Sequence, residues 1–160
     1  MDIDLKSNRM WVGARKALAE GRKNVAFIRM IIEKLAEHFE AGEVSEIWIT
    51  FPDPFPKDRH DKHRLTHTRF LKIYQQVIAL NGLIRFKTDD DGLFEFTCEL
   101  FAQLGIEPEF IDRDVHQSNH VEPYIKNIRT HYENLFSAKG RKIIYLEFRL
   151  PPQFVEPSTA

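Results

Sequence analysis

The chain has 160 residues, 42% of them hydrophobic and 12% aromatic, which is enough to bury one core, so we expect one domain. The formal net charge of −1 excludes a generally basic nucleic-acid coat, and the single cysteine, Cys98, excludes an internal disulfide. The sequence shows neither an N-terminal basic-apolar leader nor a long apolar span. We therefore expect a cytoplasmic protein with no membrane partner.

Short apolar runs alternate with amphipathic, helix-like patterns along the chain. The first half predicts strands at 3–5, 24–28 and 46–51, with helices at 9–20 and 31–39 that end at Gly21 and Gly42. In the second half we predict a helix capped by Thr66 and stopped by Asn81-Gly82, a strand at 83–88, a helix at 92–104, and closing strands at 110–112 and 141–150. Repeated strand-helix units predict an α/β fold with a doubly wound, mainly parallel sheet over residues 1–150. Residues 151–160 are predicted to be a flexible tail.

Three prolines follow the strand at 46–51, in the segment Phe51-Pro52-Asp53-Pro54-Phe55-Pro56-Lys57. Proline cannot continue a central strand, so this loop is expected to place the Asp53 carboxylate at the carboxyl end of the strand. Open α/β sheets bind their ligands at that edge. The alternative is a stiff connector in which the aspartate has no special role.

A basic run begins in the same loop. Between residues 57 and 72 six Lys and Arg side chains stand against two Asp side chains. A dense basic segment in a chain of balanced charge indicates a patch directed at one polyanion, although such runs often form only a solvated face.

The proline loop and its basic continuation at 51–65, the segment Asn81–Asp89, and Thr130-His131-Tyr132-Glu133 occur together in this order. With these motifs the chain closely resembles the bacterial tRNA (guanine-N7-)-methyltransferases from about residue 2 to residue 150. Phe55 stands where that family usually has Trp.

The resemblance implies a class I, Rossmann-like methyltransferase that uses S-adenosylmethionine to methylate N7 of a guanine in the variable loop of tRNA. Asp53 is implied to be the catalytic, cofactor-proximal acid, and Asp4 the acid that binds the cofactor ribose. The implied substrate-binding residues are Lys57, Asp89, Thr130, His131, Tyr132 and Glu133. The implied RNA-binding residues of the basic loop are Arg59, His60, Lys62 and Arg64.

Several of these positions have a purely structural alternative. Asp89 precedes the helix predicted at 92–104 and could be its N-cap, although Asp90 or Asp91 could serve equally well. Thr130 and Glu133 have the spacing of a capping box. We expect Trp11, Phe94 and Phe101 to lie in the core.

A metal site is not predicted. His60, His63 and His67 lie near Asp61, but the cationic side chains among them oppose a divalent ion.

No glycine-rich turn precedes Asp4 in this sequence, although in the fold of this family such a turn follows the first strand and supports the cofactor. We therefore expect a domain that lacks its first strand, and a chain that is inactive on its own. The alternative is a non-catalytic RNA-binding remnant of the same fold.

Overall fold

The computed structural model describes residues 1–154. Its strands are β1 (Asp2–Asp4), β2 (Phe27–Arg29), β3 (Val44–Thr50), β4 (Ile78–Thr88), β5 (Phe110–Asp112) and β6 (Ile144–Phe148). Its helices are α1 (Ser7–Ala19), α2 (Thr68–Val77), α3 (Asp91–Leu104), α4 (Pro123–Asn127) and α5 (His131–Ala138), with 3₁₀ helices at Ile32–Glu37 and Asp58–His63. None of the helices in this part of the chain is long and apolar enough to cross a membrane.

The strands form two separate sheets. β1 and β2 pair in parallel, and the larger sheet has the order β3-β4-β6-β5. Within it β3 and β4 are parallel, whereas β6 is antiparallel to both β4 and β5. The predicted α/β fold is confirmed, but the sheet is divided because no strand of residues 1–154 lies between β1 and β3.

Both faces of the larger sheet are covered. On one face α2 and α3 pack over Ile84, Phe86 and Leu146 in the main core. On the other, Ile143 and Tyr145 lie in a smaller cluster with residues from α4 and the loop before it. This double coverage explains why β6 is apolar at nearly every position.

The boundaries of α2 differ from those predicted. His67 caps the helix, and its Nδ1 accepts a hydrogen bond from the Arg69 amide. Thr66 was wrongly predicted as the cap, because it is fully buried and its hydroxyl shares a 2.8 Å hydrogen bond with that of Thr97.

Asn81-Gly82 does not stop α2, which ends earlier, at Val77. The pair lies in an irregularity of β4, where the pairing with β3 passes from Val44–Ile78 to Glu46–Leu83. Asn81 has a positive φ of 63°, and a Cβ on residue 82 would lie 2.4 Å from Ile78 Cγ1. Asn81 and Gly82 therefore form part of a β-bulge and do not end a helix.

Two further expectations meet different outcomes. Phe94 and Phe101 are core residues, as predicted, but Trp11 is 60% exposed on α1 with the Arg15 guanidinium over its ring. In the predicted tail, Phe154 packs against the main core and the Pro151 carbonyl accepts a hydrogen bond from Gln75. Residues 155–160 lie outside the described part of the chain.

Candidate active site

The predicted acids lie at the carboxyl ends of strands. Asp4 is the last residue of β1, Asp53 lies in the loop that follows β3, and Asp89 comes directly after β4. β3 and β4 are parallel, and the Phe51 amide donates a hydrogen bond to the Lys87 carbonyl, so their two ends meet at one edge. This is the edge at which α/β sheets bind ligands.

The backbone of the proline loop is unusual on both sides of Asp53. Phe51 has a φ of 50° and Phe55 a φ of 44°, and bulky residues rarely adopt positive φ values. Each such residue costs on the order of 1–3 kcal/mol and persists only when its surroundings hold it. Asp53 itself is exposed. The loop therefore presents the carboxylate on a backbone that other parts of the molecule must fix.

Arg64 is one of the groups that hold this loop. Its Nε donates to the Pro54 carbonyl at 3.1 Å and its Nη2 to the Phe55 carbonyl at 2.9 Å. The residue is only 7% exposed, and its guanidinium lies over the Phe96 ring. Arg64 was predicted to contact RNA with the other cations of the basic loop, but it is buried and two of its guanidinium nitrogens donate to carbonyls inside the protein.

The other members of the basic loop are more accessible. Lys57, Arg59 and Lys62 are exposed in and beside the 3₁₀ helix Asp58–His63. His60 is half-buried with its ring edge-on to that of His63. No group of three potential metal ligands occurs among residues 1–154.

Arg9 links Asp4 to the segment that begins at Thr130. It was not predicted as a site residue. The Asp4 carboxylate accepts a hydrogen bond from the Lys6 amide and lies 3.5 Å from Arg9 Nη1. The Arg9 guanidinium also lies over the Tyr132 ring, 4.8 Å from its centroid. One cationic side chain thus joins the predicted cofactor side to the predicted substrate side.

Aromatic contacts continue from Tyr132 towards the proline loop. Tyr132 stacks on Phe136, and Phe136 contacts Phe51 at a centroid distance of 5.9 Å. The Arg141 guanidinium lies near the ring of Phe136, 5.8 Å from its centroid. Helix α5 therefore connects the neighbourhoods of all three acids.

Asp89 does not cap helix α3, so the structural role considered for it does not apply. The α3 cap is Asp90, whose Oδ1 accepts a hydrogen bond from the Leu93 amide at 2.7 Å. Asp89 instead pairs with Arg141, with 2.7 Å between Oδ2 and Nη1. Both residues line an open hollow of about 420 Å³.

Thr130 caps α5, and its Oγ1 accepts a hydrogen bond from the Glu133 amide at 3.1 Å. The Glu133 side chain does not complete a capping box. It is fully buried, and both of its oxygens lie 3.1 Å from Lys87 Nζ. The prediction that Glu133 contacts substrate is therefore corrected, whereas His131 is exposed and Tyr132 is half-buried.

Lys87 and His116 complete this buried cluster, and neither was predicted. Burial lowers the pKa of Lys87 against the opposing effect of Glu133. Burial likewise lowers the pKa of His116, helped by the charge of Arg129. Neither ring nitrogen of His116 makes a hydrogen bond, although Nε2 lies 3.3 Å from Glu133 Oε1. β4 also contains Arg85, so the sequence alone did not single out Lys87.

The strand arrangement and the acids at its carboxyl edge define a class I methyltransferase fold. An rRNA methylase from Streptococcus thermophilus matches it with a TM-score of 0.54 at 10% identity, over 92% of this chain and 70% of that one. A geranyl diphosphate C-methyltransferase from Streptomyces coelicolor, solved with S-adenosyl-L-homocysteine, matches with a TM-score of 0.51 at 13% identity, over 91% and 62%. At these identities the likeness concerns the fold alone.

Sequence comparisons define the family. A family model described as putative methyltransferase matches residues 3–146. Proteins named tRNA (guanine-N(7)-)-methyltransferase match from Porphyromonas gingivalis (45% identity, 92% of this chain, 60% of the relative) and Clostridium botulinum (42%, 92% and 69%). The chain belongs to the tRNA (guanine-N7-)-methyltransferase family, as the resemblance predicted. It spans 59% to 69% of the length of the curated relatives that it matches.

Proposed function

We propose that this chain carries the substrate side of an S-adenosylmethionine-dependent methyltransferase that acts on N7 of a guanine in the variable loop of cytoplasmic tRNA. The observation that carries the proposal is the exposed Asp53 carboxylate on the proline loop, beside an exposed basic segment and at the same sheet edge as Asp89. Membership of a family whose relatives bear this name supports it.

Methylation of guanine N7 needs no strong general base. Guanine N7 has a lone pair and no proton, so the attack needs alignment and compensation of the positive charge that develops on the purine. We assign Asp53 to orientation and to this electrostatic role. Asp89, released from capping by Asp90, would accept hydrogen bonds from the guanine edge, with Arg141 holding its carboxylate.

We assign cofactor binding to Asp4 and Asp53. The Asp4 side chain is 28% exposed at the end of β1, where a carboxylate can accept hydrogen bonds from two vicinal ribose hydroxyls. S-adenosylmethionine, when bound, supplies the electrophilic methyl group. The neighbouring Arg9 would orient the Asp4 carboxylate.

On the substrate side, Lys57, Arg59, His60 and Lys62 would contact the RNA backbone. Thr130, His131 and Tyr132 lie at the N-terminus of α5, and the Arg9 guanidinium lies over the ring of Tyr132. Glu133 would not contact the substrate but would hold this segment in place through its ion pair with Lys87.

A non-catalytic RNA-binding protein of the same fold is the second candidate. It is favoured by the gap between β1 and β3 in residues 1–154, because cofactor binding depends on how Asp4 is held relative to Asp53. Calorimetric titration with S-adenosylhomocysteine, paired with a tRNA binding assay, separates the candidates. Binding of both ligands supports the methyltransferase, tRNA binding alone supports the second candidate, and binding of neither contradicts both.

A further inference from the structure

We propose that Arg64 is a positioning residue that holds the Asp53 loop in its reactive shape, and that it makes no contact with RNA. This inference rests on the proposed function for the role of Asp53. It separates Arg64 from the exposed basic side chains that surround it in the sequence.

The proline loop has no backbone hydrogen bonds of its own. Pro52, Pro54 and Pro56 have no amide hydrogen to donate, and among residues 1–154 no backbone–backbone hydrogen bond begins or ends within residues 52–56. The backbone strain at Phe51 and Phe55 must therefore be offset by contacts from elsewhere.

Arg64 supplies such contacts immediately after Asp53. The two carbonyls that its guanidinium binds belong to the next two residues, Pro54 and Phe55. Hydrogen bonds from a charged donor are roughly twice as strong as neutral ones, and little water competes at a residue that is 7% exposed. The Phe55 carbonyl is also the one at the strained position.

Arg64 is itself fixed to the helix that follows Asp89. Its guanidinium lies 4.2 Å from the ring centroid of Phe96 in α3, and Thr66 is hydrogen-bonded to Thr97 in the same helix. Helix α3 thus holds Asp89 through the chain and Asp53 through Arg64. The relative placement of the two acids follows from this shared support.

Only a guanidinium fits this role. Its fixed fork reaches two neighbouring carbonyls at once, whereas a lysine ammonium is a single donor centre on a flexible stem. A phosphate contact, by contrast, depends mainly on charge. Substitution by lysine therefore distinguishes a loop support from an RNA contact.

The test compares Arg64→Lys and Arg64→Gln with Arg59→Lys and Arg59→Gln, since Arg59 is an exposed cation of the same segment. Hydrogen exchange is followed at the Phe51 and His60 amides, whose hydrogen bonds flank the loop, and at α3 amides as a control for global stability. Both Arg64 variants are expected to raise exchange at the loop by about tenfold or more, with α3 changed by less than about twofold. Both Arg59 variants should leave the loop unchanged. Wild-type exchange in Arg64→Lys overturns the proposal.

The second measurement is the salt dependence of tRNA binding. Arg59→Gln should lower the slope of log K against log salt by about one, and Arg59→Lys should preserve it. Both Arg64 variants should keep the wild-type slope. Where methyl transfer is measurable, their rate at saturating tRNA should fall at least about tenfold while KM for tRNA stays within about twofold. A reduced slope in Arg64→Gln that Arg64→Lys restores would identify a phosphate contact and overturn the proposal.

A third observation covers variants that fail to fold. In the wild-type chain the Arg64 Nε–H should give a slowly exchanging NMR signal that tRNA leaves unshifted, and a shift on titration overturns the proposal. If the wild-type chain binds no tRNA, the proposed function fails, and the exchange data still decide whether Arg64 supports the loop.

Discussion

Lys87 and Glu133 form an ion pair that is almost entirely removed from solvent, with the side chains 2% and 0% exposed. Lys87 lies two residues before Asp89 in β4, and Glu133 lies in the first turn of α5. The Lys87 ammonium also donates to the Ile125 carbonyl in α4. The pair therefore sets the distance between the end of β4, which Asp89 follows, and the segment that begins at Thr130.

Replacing Lys87 by methionine should be strongly destabilising. The change keeps most of the side-chain volume but leaves the Glu133 carboxylate buried without its partner, which typically costs about 3–5 kcal/mol. Denaturant unfolding, monitored by circular dichroism, measures the loss.

The double variant Lys87→Met/Glu133→Gln is the matched control for that experiment. Because it removes the unpaired charge, it should be more stable than Lys87→Met alone. Equal stability of the single and double variants would show that packing, and not charge, sets the cost.

The His116 imidazole should make stability depend on pH in the acid range. Burial lowers its pKa below the ordinary 6.5, so the unfolded chain binds the proton more readily than the folded one. Stability should therefore fall as the pH decreases from about 6.5 to the lowered folded value. His67, whose pKa is also lowered by burial, contributes in the same direction.

His116→Leu should flatten this pH dependence without a large loss at neutral pH, since neither ring nitrogen makes a hydrogen bond. Unfolding midpoints between pH 5 and 8 provide the measurement, with His120→Gln as an exposed control. An unchanged slope in His116→Leu would assign the effect to His67 or to other groups.

Asp53→Ala should abolish most methyl transfer while leaving the fold intact, because the side chain is exposed. Loss of an electrostatic contact made in the transition state is worth about 3 kcal/mol, or roughly a hundredfold in rate. The measurement is the single-turnover rate in a form of the protein that shows transfer, and Asp58→Ala is the control in the same loop. Near-normal transfer by Asp53→Ala would remove this carboxylate from the mechanism.

The 160-residue chain alone is expected to show no methyl transfer. β1 and β3 each have an edge that no strand of residues 1–154 pairs, so Asp4 and Asp53 follow strands of two different sheets. A cofactor that must contact both acids then depends on a relative placement that no backbone hydrogen bond between the sheets fixes. Incubation with labelled S-adenosylmethionine and unmodified tRNA tests this, and robust incorporation at guanine N7 would contradict it.

Local signals in the sequence predicted several of the local features. The N-cap at Asp90 was among those considered, the left-handed Gly105 ends α3 as expected, and β5 has its predicted bounds. Asn81-Gly82 misled because the same residue types serve both a helix end and a bulge. The choice between them depended on pairing with β3, which is a contact distant in sequence.

The candidate site was likewise predicted only in part. The resemblance supplied Asp53, Asp89 and the Thr130 segment, but motif membership did not distinguish a buried support from an exposed contact. Arg64 was predicted to bind RNA and Glu133 to bind the substrate, yet both residues are buried. Arg9, His116 and Lys87 act through partners far away in the sequence, so no spacing rule identifies them.

The divided sheet also affects how the molecule opens. Within residues 1–154 no backbone hydrogen bond joins the β1–α1–β2 unit to the larger sheet. Apart from the chain connection, the two are held by side chains, among them Ile3 and Ile28, which pack against the main core. Residues 2–29 can therefore unfold as a separate cooperative unit before β4 and β6 lose their protection. A ligand held by both Asp4 and Asp53 would span the two units and suppress this partial unfolding, so its binding free energy would be reduced by whatever ordering it imposes.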